Sequence, residues 1–326
     1  MPKRTLLPYL LSLLLSVSAG VFAQTPIELS IERTLPTPEF RHGILMPIKC
    51  DPDGNIYFRG DGSLQPDTGA LQRLSGDGKT LTTIETETGD LAESHLSNFD
   101  VSPDGTLFAI MTYRTSELVE FDDKGQIKRH FEISAFGGRF DPQNFVAFSP
   151  DAFLIAGRLF EKGGPGREFT ALINGDGKLV REIKLPGLMQ GAPTGPGEPS
   201  PGSFAMGTAL VADDGNAYVL QSAGEDAKFY VISASGEVLR TLTVSSPAPK
   251  HSATQFGVAK GRLAVQFHQN DQPSWFRVVD VERGEEIATY KSELYGIFLC
   301  YSLDGFDYFV TNPTTKKFDL VRAVPQ

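Results

Sequence analysis

One phrase, written again and again, constrains this chain more than any other feature. An apolar run enters a turn built from Pro or Asp with Gly, and leaves as a second apolar run. It reads KCDPDGNIYFR at 49–59, VSPDGTLFAIM at 101–111, AFSPDAFLIAG at 147–157, ALVADDGNAYV at 209–219 and YSLDGFDYFVT at 301–311. Anchored on Gly54, Gly105, Ala152, Gly215, Gly261 and Gly305, the repeat has a period of about 50 residues with one longer interval. The longer interval holds 186–206, PGLMQGAPTGPGEPSPGSFAM, whose Gly and Pro content and lack of period mark a loop insertion.

Each repeat has a second half. LQRLSGDGKTLTTIE (71–85), ELVEFDDKGQIKRHFEI (117–133), TALINGDGKLVREIKL (170–185), FYVISASGEVLRTLTV (229–244) and WFRVVDVERGEEIATY (275–290) alternate apolar and polar residues on both sides of a Gly-bearing turn. That is the period of half-buried strands joined as a hairpin. Two hairpins in series make four antiparallel strands per repeat, the pattern of a β-propeller blade. The expected fold is therefore all-β: a six-bladed propeller with four antiparallel strands per blade. The more continuously apolar first hairpin should lie inside, and the charged second hairpin at the rim.

The sixth repeat stops one strand short. PIELSIERTL at 26–35 belongs to no hairpin of its own, so it is expected to close the last blade. An open ring would leave an apolar edge unpaired. Cys50 and Cys300, the two cysteines of the chain, sit at matching points of the first and last repeats. Their reading stays open between a disulfide and two buried thiols.

The phrases DPDGNIYF, SPDGTLF and ADDGNAYV, each before a rim hairpin, resemble those of six-bladed propellers with NHL-type repeats and of related exported families such as the gluconolactonase-like propellers. The resemblance covers the architecture of 26–326. One Trp and no Trp-Asp endings set the chain apart from WD40 repeats.

Residues 1–23 read as a signal peptide: a basic head, an apolar middle and a small-x-small end at Val21-Phe22-Ala23. The domain plan is then 1–23 signal peptide and 24–326 one propeller carrying the 186–206 insertion. The implied location is periplasmic or extracellular, and no later stretch is long and apolar enough to span a membrane as a helix. A formal charge of −10 argues against nucleic acid as a partner, because phosphates would be repelled.

In such a blade both hairpin turns lie on one face, and the longer connections lie on the other. Varied loops on a rigid frame usually carry binding, so a small molecule or protein is expected on the loop-rich face. His42, His95 and His251 each precede an inner strand, and imidazoles converging there would suit one divalent metal. The amidating lyases with NHL-like propellers resemble that scheme. Gluconolactonase-like propellers instead use carboxylates and Asn, for which Asp141, Asn144 and Glu293 stand in comparable loops. Arg41 and Arg139 flank the expected mouth and suit a carboxylate or phosphate. DPDGN resembles the start of a calcium loop, but the later ligands are missing and turn chemistry accounts for it. These residues support two readings: a binding scaffold, or a metal-dependent lyase or lactonase-type hydrolase.

Overall fold

The structure is a computed structural model that describes residues 25–38, 44–60, 70–87, 89–113, 115–122, 124–133, 136, 138–161, 166–185, 204–223 and 225–326. The signal-peptide reading of 1–23 and most of the 186–206 insertion fall outside those residues. Residues 204–206, expected in the insertion, begin a strand instead.

Strand β1 (Ile27–Pro36) leads the chain. The first sheet follows as β2 (Ile44–Cys50), β3 (Ile56–Gly60), β4 (Leu71–Leu74) and β5 (Leu81–Ile84). The second is β6 (His95–Val101), β7 (Leu107–Thr112), β8 (Ser116–Phe121) and β9 (Ile127–Glu132). The third is β10 (Arg139–Ser149), β11 (Ala152–Phe160), β12 (Arg167–Asn174) and β13 (Leu179–Glu182). The fourth is β14 (Phe204–Val211), β15 (Ala217–Ala223), β16 (Asp226–Ile232) and β17 (Val238–Ser245). Then come β18 (Ser252–Ala259), β19 (Arg262–His268), β20 (Ser274–Asp280) and β21 (Glu286–Ser292). The last are β22 (Gly296–Ser302), β23 (Gly305–Thr311) and β24 (Phe318–Pro325).

The expectation of six separate sheets is corrected here. Four four-stranded sheets stand apart, and the remaining strands form one sheet in the order β18-β19-β20-β21-β1-β24-β23-β22. The cause is β1, which has a partner on each edge. It pairs antiparallel with β24 from Leu29↔Pro325 to Pro36↔Asp319, and parallel with β21 at Ile27↔Tyr290 and Glu28↔Lys291. The N-terminal strand thus lies alongside the C-terminal one, as its lack of a hairpin partner implied. The arrangement of these antiparallel sheets is propeller-like.

Three of the first hairpin turns share one geometry. Asp51 N donates to Asn55 O at 3.1 Å and Gly54 N to Asp51 O at 3.0 Å; Ser102, Gly105 and Thr106 repeat this at 3.0 and 2.8 Å, and Ala212, Gly215 and Asn216 at 3.0 and 2.9 Å. Gly54 and Gly105 have φ of 79° and 84°, left-handed values that favour glycine. In these repeats the phrase is a bulged hairpin turn; elsewhere Ser149↔Ala152, Ala259↔Arg262 and Ser302↔Gly305 close two-residue turns.

Burial follows the predicted radial order. β7 is buried along nearly its whole length, whereas β9 alternates and β13 is exposed throughout. The core lies in the seams between sheets. Phe99, Leu107 and Met111 of the second sheet pack on Tyr57 and Leu71 of the first. Ile48, Phe58 and Leu74 of the first meet Leu299, Phe309 and Leu320 near the chain's end, with the Phe58 and Phe309 rings edge-on at 5.6 Å. The leading strands touch in sequence: β2 with β6, β6 with β10, β10 with β14, β14 with β18, β18 with β22, and β22 back to β2. That circle encloses a hub.

Cys50 and Cys300 are bonded across the same seam, with Cα atoms 6.3 Å apart and 250 residues between them in sequence. Replacing both by Ala removes a constraint worth up to about 5 kcal/mol for so long a loop in the chain-entropy picture. The double variant is expected to melt several degrees lower with unchanged far-ultraviolet dichroism. Deleting 25–36 is expected to do more: β24 loses its outer partner, and light scattering should report oligomers where the full chain is monodisperse.

Candidate functional site

The hub is built from the ends of the leading strands. These strands are apolar, yet two of them carry one charge each just before their turn. Lys49 Nζ of β2 lies 2.8 Å from Asp100 Oδ1 of β6, with side chains 6% and 2% exposed. Lys49 also donates to the carbonyl of Ala209 on β14, and Ala147 N of β10 donates to Asp100 Oδ2 at 2.8 Å. One ion pair therefore ties four sheets at the axis. Burial pushes the Asp100 carboxyl above its ordinary range, while Lys49 and the amides of Ala147 and Val101 pull the other way.

The pair forms part of the wall of a cavity of about 810 Å³, a size that suits a small-molecule or peptide ligand. The cavity runs from Lys49, Asp100 and Ala209 at the hub into the seam between the first sheet and the chain's last strands, where Arg33, Leu320 and Arg322 line it. Ile48, Phe256, Val258, Leu299 and Tyr301 supply apolar wall, and the Cys50–Cys300 bond lies in it. Arg322 organises the seam end: its Nη1 reaches Asp307 at 3.0 Å, its Nη2 donates to Ser302 Oγ at 2.6 Å, and its Nε faces Glu32 of β1 at 3.6 Å. Burial raises the Asp307 carboxyl, opposed by Arg322.

The mouth is formed by hairpin turns. Asp51 and Asp53 come from the β2–β3 turn, Ser102 and Pro103 from the β6–β7 turn, Asp213 from the β14–β15 turn and Asp304 from the β22–β23 turn. The cavity thus opens toward the short turns, whereas the sequence pointed to the longer connections. Only Met46 and Gln255, bridged by a 3.3 Å contact between Gln255 Nε2 and Met46 Sδ, lie toward the other end of the strands.

The residues singled out from sequence are scattered. Arg41 and His42 lie outside the described residues. His95 begins β6, half exposed, 3.9 Å from Glu87. His251 is buried, with Nδ1 2.9 Å from Pro249 O and Nε2 3.3 Å from Pro273 O, so either tautomer can donate its N–H to a loop carbonyl. Among the described residues no group of three or more His, Cys, Asp or Glu is arranged to hold a metal ion. Arg139, Asp141 and Asn144 lie on strand β10 and not in a loop. Arg139 stacks on Phe160 at 4.7 Å, Asp141 is in register with Arg158, and Asn144 is buried. Glu293 is exposed and pairs with Lys291, away from the cavity wall. The sequence reading missed Lys49 and Asp100. Their signal was there: a lone charge inside an apolar inner-strand run.

No protein-family model and no curated protein matches the chain. Solved structures do. The chain is similar to a luciferin-regenerating enzyme at 12% identity and a TM-score of 0.51, covering 92% of this chain and 95% of that one. It is also similar to a chain of the mitotic checkpoint complex (11% identity, TM-score 0.48, covering 96% and 83%) and to BamB from Moraxella catarrhalis (13%, 0.41, covering 93% and 88%). At these identities the first likeness speaks to the fold alone, and the other two carry no argument.

Lys49→Met leaves Asp100 buried without its partner and is expected to cost about 3–5 kcal/mol in urea unfolding. Adding Asp100→Leu removes the unpaired carboxyl and should recover only part of that loss, because the Ala147 amide and the Ala209 carbonyl then lack their partners. Full recovery to the parent's stability would mean that these bonds do not tie the sheets.

Proposed function

We propose that the protein is an exported binding scaffold, a six-bladed β-propeller that takes its ligand in the hub cavity. The blade count rests on reading the eight-stranded sheet as two units, β18–β21 and β22–β24 with β1, joined where β1 meets β21. The circle of six touching leading strands supports that count. Export is supported by the basic and apolar head of the sequence and by the Cys50–Cys300 bond, which suits an oxidising periplasm or exterior. Among the described residues no helix is long and apolar enough to cross a membrane.

The observation that carries the binding reading is the cavity itself, about 810 Å³ with apolar walls, a buried ion pair and a ring of charged turns. A protein partner on the loop-rich face is a weaker version, since Arg139 and Asn144 are engaged within their own sheet. The reading as a metal-dependent lyase or lactonase-type hydrolase has less support still, because His251 is buried against the Pro249 and Pro273 carbonyls.

The test is a thermal-shift screen of amines, carboxylates and neutral compounds against the full chain. Hits should vanish in Val258→Trp and, independently, in Leu299→Trp, each of which fills the cavity from a different strand. Hits should persist in Asp141→Ala on β10. Persistence in both Trp variants would move binding out of the cavity.

A further inference from the structure

Six carboxylates line the cavity: Asp51, Asp53, Asp100, Asp213, Asp304 and Asp307. Three cations face them, Arg33, Lys49 and Arg322. Two of those cations are already spent, Lys49 on Asp100 and Arg322 on Asp307. Asp213 has Lys260 beside it, 3.9 Å from Nζ to Oδ2, which leaves Arg33 against Asp51, Asp53 and Asp304, all at the mouth and drawn from turns of two separate parts of the ring. A negative mouth over partly apolar walls focuses the field and draws cations to it. The carboxylates are also spread out. Among the described residues no three of them stand close enough to share a metal ion. A field of that shape matches several positive charges spaced along a flexible chain better than one point charge.

A second observation points the same way from inside. Lys49 has three ammonium protons and two acceptors, Asp100 Oδ1 and Ala209 O. Its side chain is only 6% exposed and borders the cavity, so its remaining N–H is left for an acceptor that enters the cavity. Ile48, Phe256, Leu299 and Tyr301 between mouth and floor offer apolar and aromatic surface to methylene stems.

Building on the cavity reading above, we propose that the cavity selects an extended ligand bearing primary ammonium groups, a polyamine or a lysine-rich peptide. The mouth aspartates hold its charges, and the floor amine of Lys49 holds a carbonyl where the ligand has one. The chemistry shared by the two sources is the spaced ammonium chain. Only the peptide can also fill the Lys49 position.

The experiment is calorimetric titration of the full, disulfide-intact chain with trilysine, spermidine and triglutamate, at low and high salt. Trilysine and spermidine should bind, more weakly as salt rises, and triglutamate should not. Asp53→Asn with Asp304→Asn changes two exposed turn residues and should weaken trilysine by about tenfold or more. Trilysine tighter than spermidine identifies the peptide as the source; equal affinities identify the polyamine. Binding of triglutamate as strong as that of trilysine, or an unaffected double Asn variant, overturns the inference. If trilysine fails but other compounds give shifts lost in Val258→Trp and Leu299→Trp, the ligand class is wrong and the cavity reading stands. If no compound gives such shifts, both fall.

Discussion

Everything in this architecture depends on the antiparallel pairing of β1 with β24. A row of sheets packed side by side has two free ends, and each end exposes an apolar face and an unpaired strand edge. Here the first strand of the chain is placed in the last sheet, and seven register pairs run from Leu29↔Pro325 to Pro36↔Asp319. Glu32 is left out of register by a bulge and faces Arg322, which also holds Asp307 and Ser302. The same contact therefore closes the ring and shapes one end of the cavity. The sheets that result are held by seams of aromatic and aliphatic side chains, with the Phe276, Phe298, Phe306 and Tyr308 rings packed edge-on or tilted near the closure.

Closure alone would leave a hollow axis. Lys49 and Asp100 fill part of it at a cost in desolvation that is offset by their short contact and by two backbone partners from further sheets. An apolar pair could pack there, but could not bond to Ala147 N and Ala209 O. The ion pair thus sets the spacing of four sheets around the axis and leaves a polar point on the floor of the cavity. The cavity is what remains between that floor and the turns.

Much of the fold was legible. The period-2 alternation and the recurring Asp-Gly turns gave the four-stranded units, because a bulged hairpin needs a residue at positive φ and Gly supplies it. PIELSIERTL lacked a neighbour in sequence, so it had to find one in space. Cys50 and Cys300 pointed to the same seam from opposite ends of the chain. The merging of β21 and β24 through β1 was not legible, since two residues of parallel pairing leave no trace in a sequence. The site was legible only in part. Loop length was read as a guide to the functional side, but long connections need not border the axis. Of the histidines at similar offsets, His42 lies outside the described residues, His251 sits against proline carbonyls and His95 near Glu87. Lys49 and Asp100 were not singled out, each being a lone charge in an apolar run. What sets them apart is that their strands meet at the hub, a relation visible only once the sheets are placed in a circle.

The pairing of the two chain ends also has a consequence in time. During synthesis the partner of residues 27–36 is made long after them. Until it arrives, the inner edge of β1 is unpaired and Leu29 lacks Val321 and Ala323 from its core. The contact that closes the ring has a very large sequence separation, and such contacts form slowly. Assembly therefore waits on β24: a chain clipped before Phe318 keeps the Cys50–Cys300 bond and the seam of Ile48 and Phe58 with Leu299 and Phe309, but leaves β1 without its antiparallel partner.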